Sequence, residues 1–351
     1  MAIDHLSKAR RTISDYLDKQ KHRQSVSTED PDPLAGFDHL ADSMSEAISR
    51  LNGGNACKVE IVQCNTFAGE TLIRHNYRLT FFGIIYDLSL TESLNALNLF
   101  YLHKASGADY KKYACKLLAE HFYNSDMPLD ALQMIKPYYN ERYTINNDFA
   151  ASDEALARNY SAIQHCFILF HEIGHLFFKQ GILHESNKEF IKGLLSRIVI
   201  ESYKPIPRQD DERDRLLDII ENDNLLVEEC SCDKYAIELL LHTIKGGETH
   251  CSAMDVAEAV FLALSFQKYR ELVKGASMGM TIADASSASG ISKASDISRI
   301  SDISNVSTVS NVAMTYSLRE SCARNLIPVL LYMDLKGLDL SGFFRKFTEA
   351  T

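Results

Sequence analysis

The stretch "HCFILFHEIGHLFFKQG", residues 165–181, places His171 and His175 four apart, with Glu172 directly after the first. On an α-helix, positions i and i+4 share a face, so both imidazoles can turn towards one metal ion. Zinc accepts imidazole nitrogen readily. Glu172 lies roughly 100° round the helix from His171. That takes its carboxylate out of the ligand set but leaves it within reach of a water on the ion. A carboxylate so placed is a general base for metal-assisted hydrolysis. The plain alternative is a pair of histidines hydrogen-bonded in or on a helix. Phe167, Leu169, Phe170, Leu176, Phe177 and Phe178 surround the polar island with apolar mass, and Gly174 offers a point of close approach. Both features suit a buried helix that opens onto a cleft.

Two histidines and a water leave the ion one protein ligand short. The compact pattern with a third histidine six residues after His175 is absent, because position 181 is Gly181 and the next histidine is His184. A better source is "LLVEECSCDKYAIELLLH", residues 225–242, which has helical spacing. Glu229 and Asp233 share one face there. Glu229 is the leading candidate for third ligand. Asp233 can accept the outer ring proton of a ligand histidine and so fix its tautomer. Two acids on a mostly apolar helix call for partners, since an unpaired buried carboxylate is costly. The alternatives are a solvated acidic turn of Glu228, Glu229 and Asp233, a thiolate ligand from Cys230 or Cys232, or another residue altogether. In a helix the two thiols of CxC point roughly 200° apart, which weakens the cysteine option.

HExxH on one helix and ExxxD on a later one resembles the gluzincin metallopeptidases. The residues are His171, Glu172 and His175, then Glu229 and Asp233, with 53 residues between His175 and Glu229. "EECSCDKYAIELL" is similar to the second-motif helix of the minigluzincins, with Ala236 at the alanine position. The resemblance covers about residues 150–245. It implies a zincin-like core in which a small sheet offers an edge strand to an extended substrate. It also implies one zinc ion on His171, His175 and Glu229, with Glu172 as base. Members of the group carry a further residue that steadies the oxyanion. No motif marks it here, and Tyr203, Tyr235 and His250 are the candidates. The membrane-embedded members have spanning helices that this sequence lacks, so a soluble subgroup is the closer likeness. The phage-exclusion peptidases of the Lit type share the HExxH and no further motif.

Certain elements must carry these residues. A long helix is expected from Ser152 to Gln180, with Ser152 as N-cap, acids in its first turn and Gly181 as its stop. Further helices are expected at 3–20, 33–51, 108–125, 128–139, 185–203, 210–245, 252–275 and 316–347. Strand character appears in "KVEIVQC" (58–64), "TLIRHNY" and "YRLTFFGIIYDLSL" (77–90), with "ERYTINNDFA" (141–150) a short strand or extended edge. The fold class is therefore α+β, predominantly helical, with a small mixed sheet. Residues 285–311 form nine triplets in which serine follows Ala, Ile or Val each time. A period of three suits neither helix nor strand, and the tract reads as a flexible surface insert. The organisation that results is an N-terminal helical region 1–53, a catalytic core 54–275, the serine-rich linker 276–314 and a C-terminal helix 315–351.

Bulk properties narrow the partners. The chain of 351 residues has a net charge of -10, the wrong sign for a broad nucleic-acid footprint. No apolar stretch is long enough to span a bilayer. The first residues, "MAIDHLSKARRTISDYLDKQ", lack the apolar core of an export signal. Eight cysteines are sparse for a disulfide scaffold of this length, so reduced thiols and a cytoplasmic setting are expected. There is no phosphate-binding glycine loop and no nucleophile elbow. The expected function is zinc-dependent hydrolysis of a protein or peptide substrate. The alternative is a structural zinc or interaction module on the same scaffold.

Overall fold

The computed structural model describes residues 41–42, 44–46, 48–49, 55–64, 71–75, 80–103, 107–125, 127–140, 151–179, 185–203, 210–246, 252–279 and 306–334. The expected helix at 3–20, the expected strand at 141–150 and most of the triplet tract lie outside them. The chain divides into two units. One comprises Met1–His165 with Phe266–Ala313, the other Cys166–Ser265 with Met314–Thr351.

The first unit holds the sheet. Its strands are β1 (Lys58–Cys64), β2 (Thr71–His75) and β3 (Phe81–Asp87). Their order is β1-β3-β2, with β1 parallel and β2 antiparallel to the central strand. The small mixed sheet is thus as expected. All seven residues of β3 are buried. A strand covered on both faces reads as a continuous apolar run rather than an alternation, which is why "FFGIIYD" carries no period of two. Ser45 and Ser49, in helical backbone, accept from the amides of Val59 and Cys57 at 2.9 Å each, tying the start of β1 down.

Beyond β3 the structure departs from expectation. The reading of 77–90 as one strand fails at Leu88, where α1 (Leu88–Leu102) begins. The Asp87 carboxylate caps it by accepting from Ser89 N at 3.1 Å. The helices α2 (Gly107–Asn124) and α3 (Pro128–Asn140) follow within a residue of their expected bounds. Lys116 of α2 is buried and ends on Ser93 Oγ at 2.8 Å and on Glu120. The long helix α4 (Ala151–Lys179) covers the expected range, but it begins at Ala151, so Ser152 lies inside it rather than at its N-cap. In its first half Gln164 exchanges two amide hydrogen bonds with Asn98 of α1, at 2.7 and 2.9 Å.

The second unit is helical. It contains the end of α4, then α5 (Glu185–Tyr203), α6 (Asp210–Asn222), α7 (Asn224–Gly246), the first half of α8 (Ala253–Gly279) and most of α9 (Val306–Asp334). The expected single helix over 210–245 is two helices. Asp223 interrupts it and caps α7, its carboxylate accepting from Leu225 N at 2.9 Å and Leu226 N at 3.2 Å. Ser252 and Asp255 cap α8 reciprocally, at 2.8 and 3.1 Å. Helix α9 begins at Val306, inside the last triplets of the serine tract, and ends at Asp334, where 316–347 was expected. Its Leu318, Cys322 and Leu326 join one apolar cluster with Ile191 and Leu195 of α5, Ile220 of α6, and Leu226 and Cys230 of α7. That cluster fixes α9 beside α7, and so places α9 residues within reach of Glu229 and Asp233.

Candidate metal centre

Two helices meet where the sequence placed its chemistry. Helix α4 carries His171 and His175, and α7 carries Glu228, Glu229 and Asp233. They come close because Gly174 has no side chain. A Cβ there would lie 3.1 Å from both Cα and Cβ of Cys232. Cys232 is therefore a packing residue against α4. Cys230, on another side of α7, is buried in one apolar cluster with Cys322 of α9. The cysteine alternative for the third ligand is not what the structure assembles.

The assembled group is His171, His175 and Glu229, whose ligand atoms lie within 4.8 Å of one another. The two Nε2 atoms are 3.1 Å apart, with the rings nearly perpendicular at 87°. Glu229 faces both of them. Its Oε2 is 3.3 Å from His171 Nε2 and its Oε1 is 3.3 Å from His175 Nε2. Two imidazole nitrogens and a carboxylate oxygen, converging from two helices, fit zinc in their chemistry. Among the described residues no fourth His, Cys, Asp or Glu joins the group.

Each outer ring nitrogen has its own carboxylate. His175 Nδ1 is hydrogen-bonded to Glu228 Oε1 at 2.8 Å. His171 Nδ1 lies 2.8 Å from Asp233 Oδ1, an ion-pair distance that is off the line of an ideal hydrogen bond. The second contact is the one expected for Asp233. The first tells against the alternative in which Glu228 is a solvated acid. Carboxylates behind ligand histidines hold the ring orientation and leave the inner nitrogen free to bind.

The structure adds a residue that no motif announced, Arg319 of α9. Its side chain is 3% exposed. Nε and Nη2 take the two oxygens of Asp233 at 2.9 and 2.8 Å, and Nη1 takes Glu229 Oε2 at 2.7 Å. Tyr316, one turn earlier, lies beneath the guanidinium, 5.0 Å from it to the ring centre.

These charges set the protonation. Burial by itself would push His171 down, but the Asp233 charge and the close contacts with Asp233 and Glu229 outweigh it and hold the imidazole up at about 9. His175 is raised in the same way against its own burial, with Glu229 foremost. Glu229 is buried, which would raise it, yet hydrogen bonds from His171 and His175 and the charge of Arg319 keep it far below the ordinary carboxylate range. A cluster that holds a proton this firmly has a field that favours a cation.

The remaining candidates are described to different extents. Glu172 is half-buried on α4, next to His171 and outside the converging group. Tyr235 is buried edge-on against Phe177, with ring centres 5.4 Å apart. Tyr203 is the last residue of α5, and its side chain is not among those described. His250 lies outside the described residues. No helix among the described residues is long and apolar enough to cross a membrane. No family model, curated protein or solved structure matches the chain.

Proposed function

We propose that this chain is a zinc-dependent hydrolase acting on the peptide bonds of a protein or peptide substrate, with a gluzincin-like arrangement on a zincin-like core. The convergence of His171 Nε2, His175 Nε2 and the Glu229 carboxylate, each histidine backed by a second acid, carries this reading. Three protein ligands, against the four of a structural site, suit a catalytic zinc. When bound, zinc supplies a Lewis acid and a water that ionises near neutral pH.

The chain's own residues supply the rest. Asp233 and Glu228 keep the histidines turned inward. Glu172 takes a proton from the attacking water on its carboxylate and passes it to the leaving amine nitrogen. Its position after His171 puts it beside the ligands without making it one. Tyr203, Tyr235 and His250 remain the candidates for a hydrogen bond to the developing oxyanion. Six cysteines among the described residues that form no disulfide suit a reducing compartment such as the cytoplasm.

The test is Glu172→Gln, read by zinc content and by a broad peptide-cleavage screen. The variant should keep one zinc per chain, and turnover should fall by at least the 10²- to 10⁴-fold typical of losing a general base. Undiminished cleavage by the purified variant would remove Glu172 from this role. Zinc in the wild type with no cleavage of any substrate would favour a structural ion.

A further inference from the structure

We propose that Arg319 is the positioning residue of the metal centre. It presents Glu229 to the ion through one oxygen and holds Asp233 behind His171. The proposal rests on the zinc reading above and deepens it.

Three contacts carry it. The guanidinium fork takes both oxygens of Asp233, and its third nitrogen takes Oε2 of Glu229 at 2.7 Å. Glu229 Oε1, the oxygen that Arg319 does not hold, lies 3.3 Å from His175 Nε2, while the held Oε2 lies 3.3 Å from His171 Nε2. A carboxylate with one oxygen committed to an arginine would offer chiefly the other to a cation. Arginine suits this because its fork is planar and rigid and stays charged in a buried site. A lysine has one nitrogen and cannot serve two carboxylates in the same directions. The residue comes from α9, outside both motif helices, so the centre is assembled from three helices rather than two. Burial argues against a mere surface ion pair. Arg319 and Asp233 are 3% and 1% exposed, and a buried charge of this kind persists where its partners are fixed.

The test uses the full-length protein and three variants, Arg319→Met, Arg319→Lys and Arg324→Met. Arg324 is a control on the same helix, stacked over Phe261 at 4.7 Å. Zinc affinity is measured by competition with a chromophoric chelator, cobalt(II) absorption reports the coordination sphere, and circular dichroism reports folding. Arg319→Met should bind zinc about 10- to 100-fold more weakly, the range for residues that orient ligands. Arg319→Lys keeps the charge and so guards against simple misfolding. It should fold, bind at least tenfold more weakly and shift the cobalt spectrum. Arg324→Met should lower stability but leave zinc affinity and the spectrum unchanged. Wild-type affinity in Arg319→Lys, or an equal loss in Arg324→Met, overturns the proposal and leaves the zinc reading standing. A wild-type chain that takes up no zinc overturns both.

Discussion

His165 and His171 sit six residues apart on one helix, and both are buried, at 6% and 3% exposure. Their chemistry is opposite. His165 meets the ring of Tyr86 edge-on, with centres 5.2 Å apart, and burial pushes it down to about 4. His171 suffers the same burial, yet Asp233 and Glu229 hold it up at about 9. The difference is made by what stands opposite, since the helix and the burial are shared. Opposite His171 is α7 with its acids, and behind α7 is Arg319, which keeps those acids charged and fixed. A buried histidine gathers positive charge only where carboxylates have been brought to it.

The largest effect should come from taking away the acid that makes the difference. Asp233→Ala takes from the buried Arg319 charge the carboxylate that holds two of its nitrogens and strips the ion pair from His171. Breaking a buried pair in this way costs about 3–5 kcal/mol. Urea unfolding of the purified variant measures it, and a loss below about 1 kcal/mol would show that the pair behaves like a solvated one and that the contrast between the two histidines is overdrawn.

The two halves of the site were legible in the sequence to different degrees, for a physical reason. His171 and His175, and likewise Glu229 and Asp233, are readable because helical geometry converts a spacing of four into a shared face. The pairing of Asp233 with His171 followed from what a ligand histidine needs. The pairing of Glu228 with His175 went unread because its neighbour Glu229 pointed the reading at the other face, and the two residues are 53 positions apart. Arg319 is 86 positions from Asp233, in "YSLRESCARN", where nothing local marks an arginine as buried. Long-range pairing of this kind is set by the apolar cluster that seats α9 against α7.

The fold shows the same division. Helices α2 to α5 are visible because their periodicity is local. Helix α1 is hidden because "FFGIIYDLSLTESLNALNLFYL" is apolar across the change from strand to helix, and only the Asp87 cap marks it. The break at Asp223 was missed because a single capping carboxylate separates two helices that share a face pattern.

An effect of intermediate size tests the other histidine. His165 is neutral in the folded chain down to about 4, whereas in the unfolded chain it takes up a proton below its ordinary value of 6.5. Between those values the unfolded state binds the extra proton, so folding stability falls as pH drops through that window. The contribution is about 3 kcal/mol over the full window. His165→Phe keeps an aromatic ring for Tyr86 and removes the titration. Urea stability of the two proteins, compared from pH 7 to pH 4, should therefore converge towards or cross in favour of the variant as pH falls. A difference that does not change with pH would mean that His165 keeps its proton when buried, and the contrast with His171 would collapse.

The smallest effects test what lets α7 approach α4 at all. In an open helix, exchanging glycine for alanine gains about 1 kcal/mol, because alanine restricts the unfolded chain and favours the helix. Gly193 on α5 has nothing within 4 Å of an added Cβ, so Gly193→Ala should show that gain. At Gly174 the same methyl meets Cα and Cβ of Cys232 at 3.1 Å. A helix backbone cannot yield as the tip of a flexible side chain can, and overpacking costs about 1–3 kcal/mol. The clash should outweigh the propensity gain, giving a net loss of about 1 kcal/mol. The displacement would fall on the helix that carries Glu228, Glu229 and Asp233, so zinc affinity should drop in Gly174→Ala and stay unchanged in Gly193→Ala. Thermal melts and chelator competition on the two variants side by side decide it. If both gain stability and bind zinc alike, the close approach at Gly174 is not what brings the acids to His171.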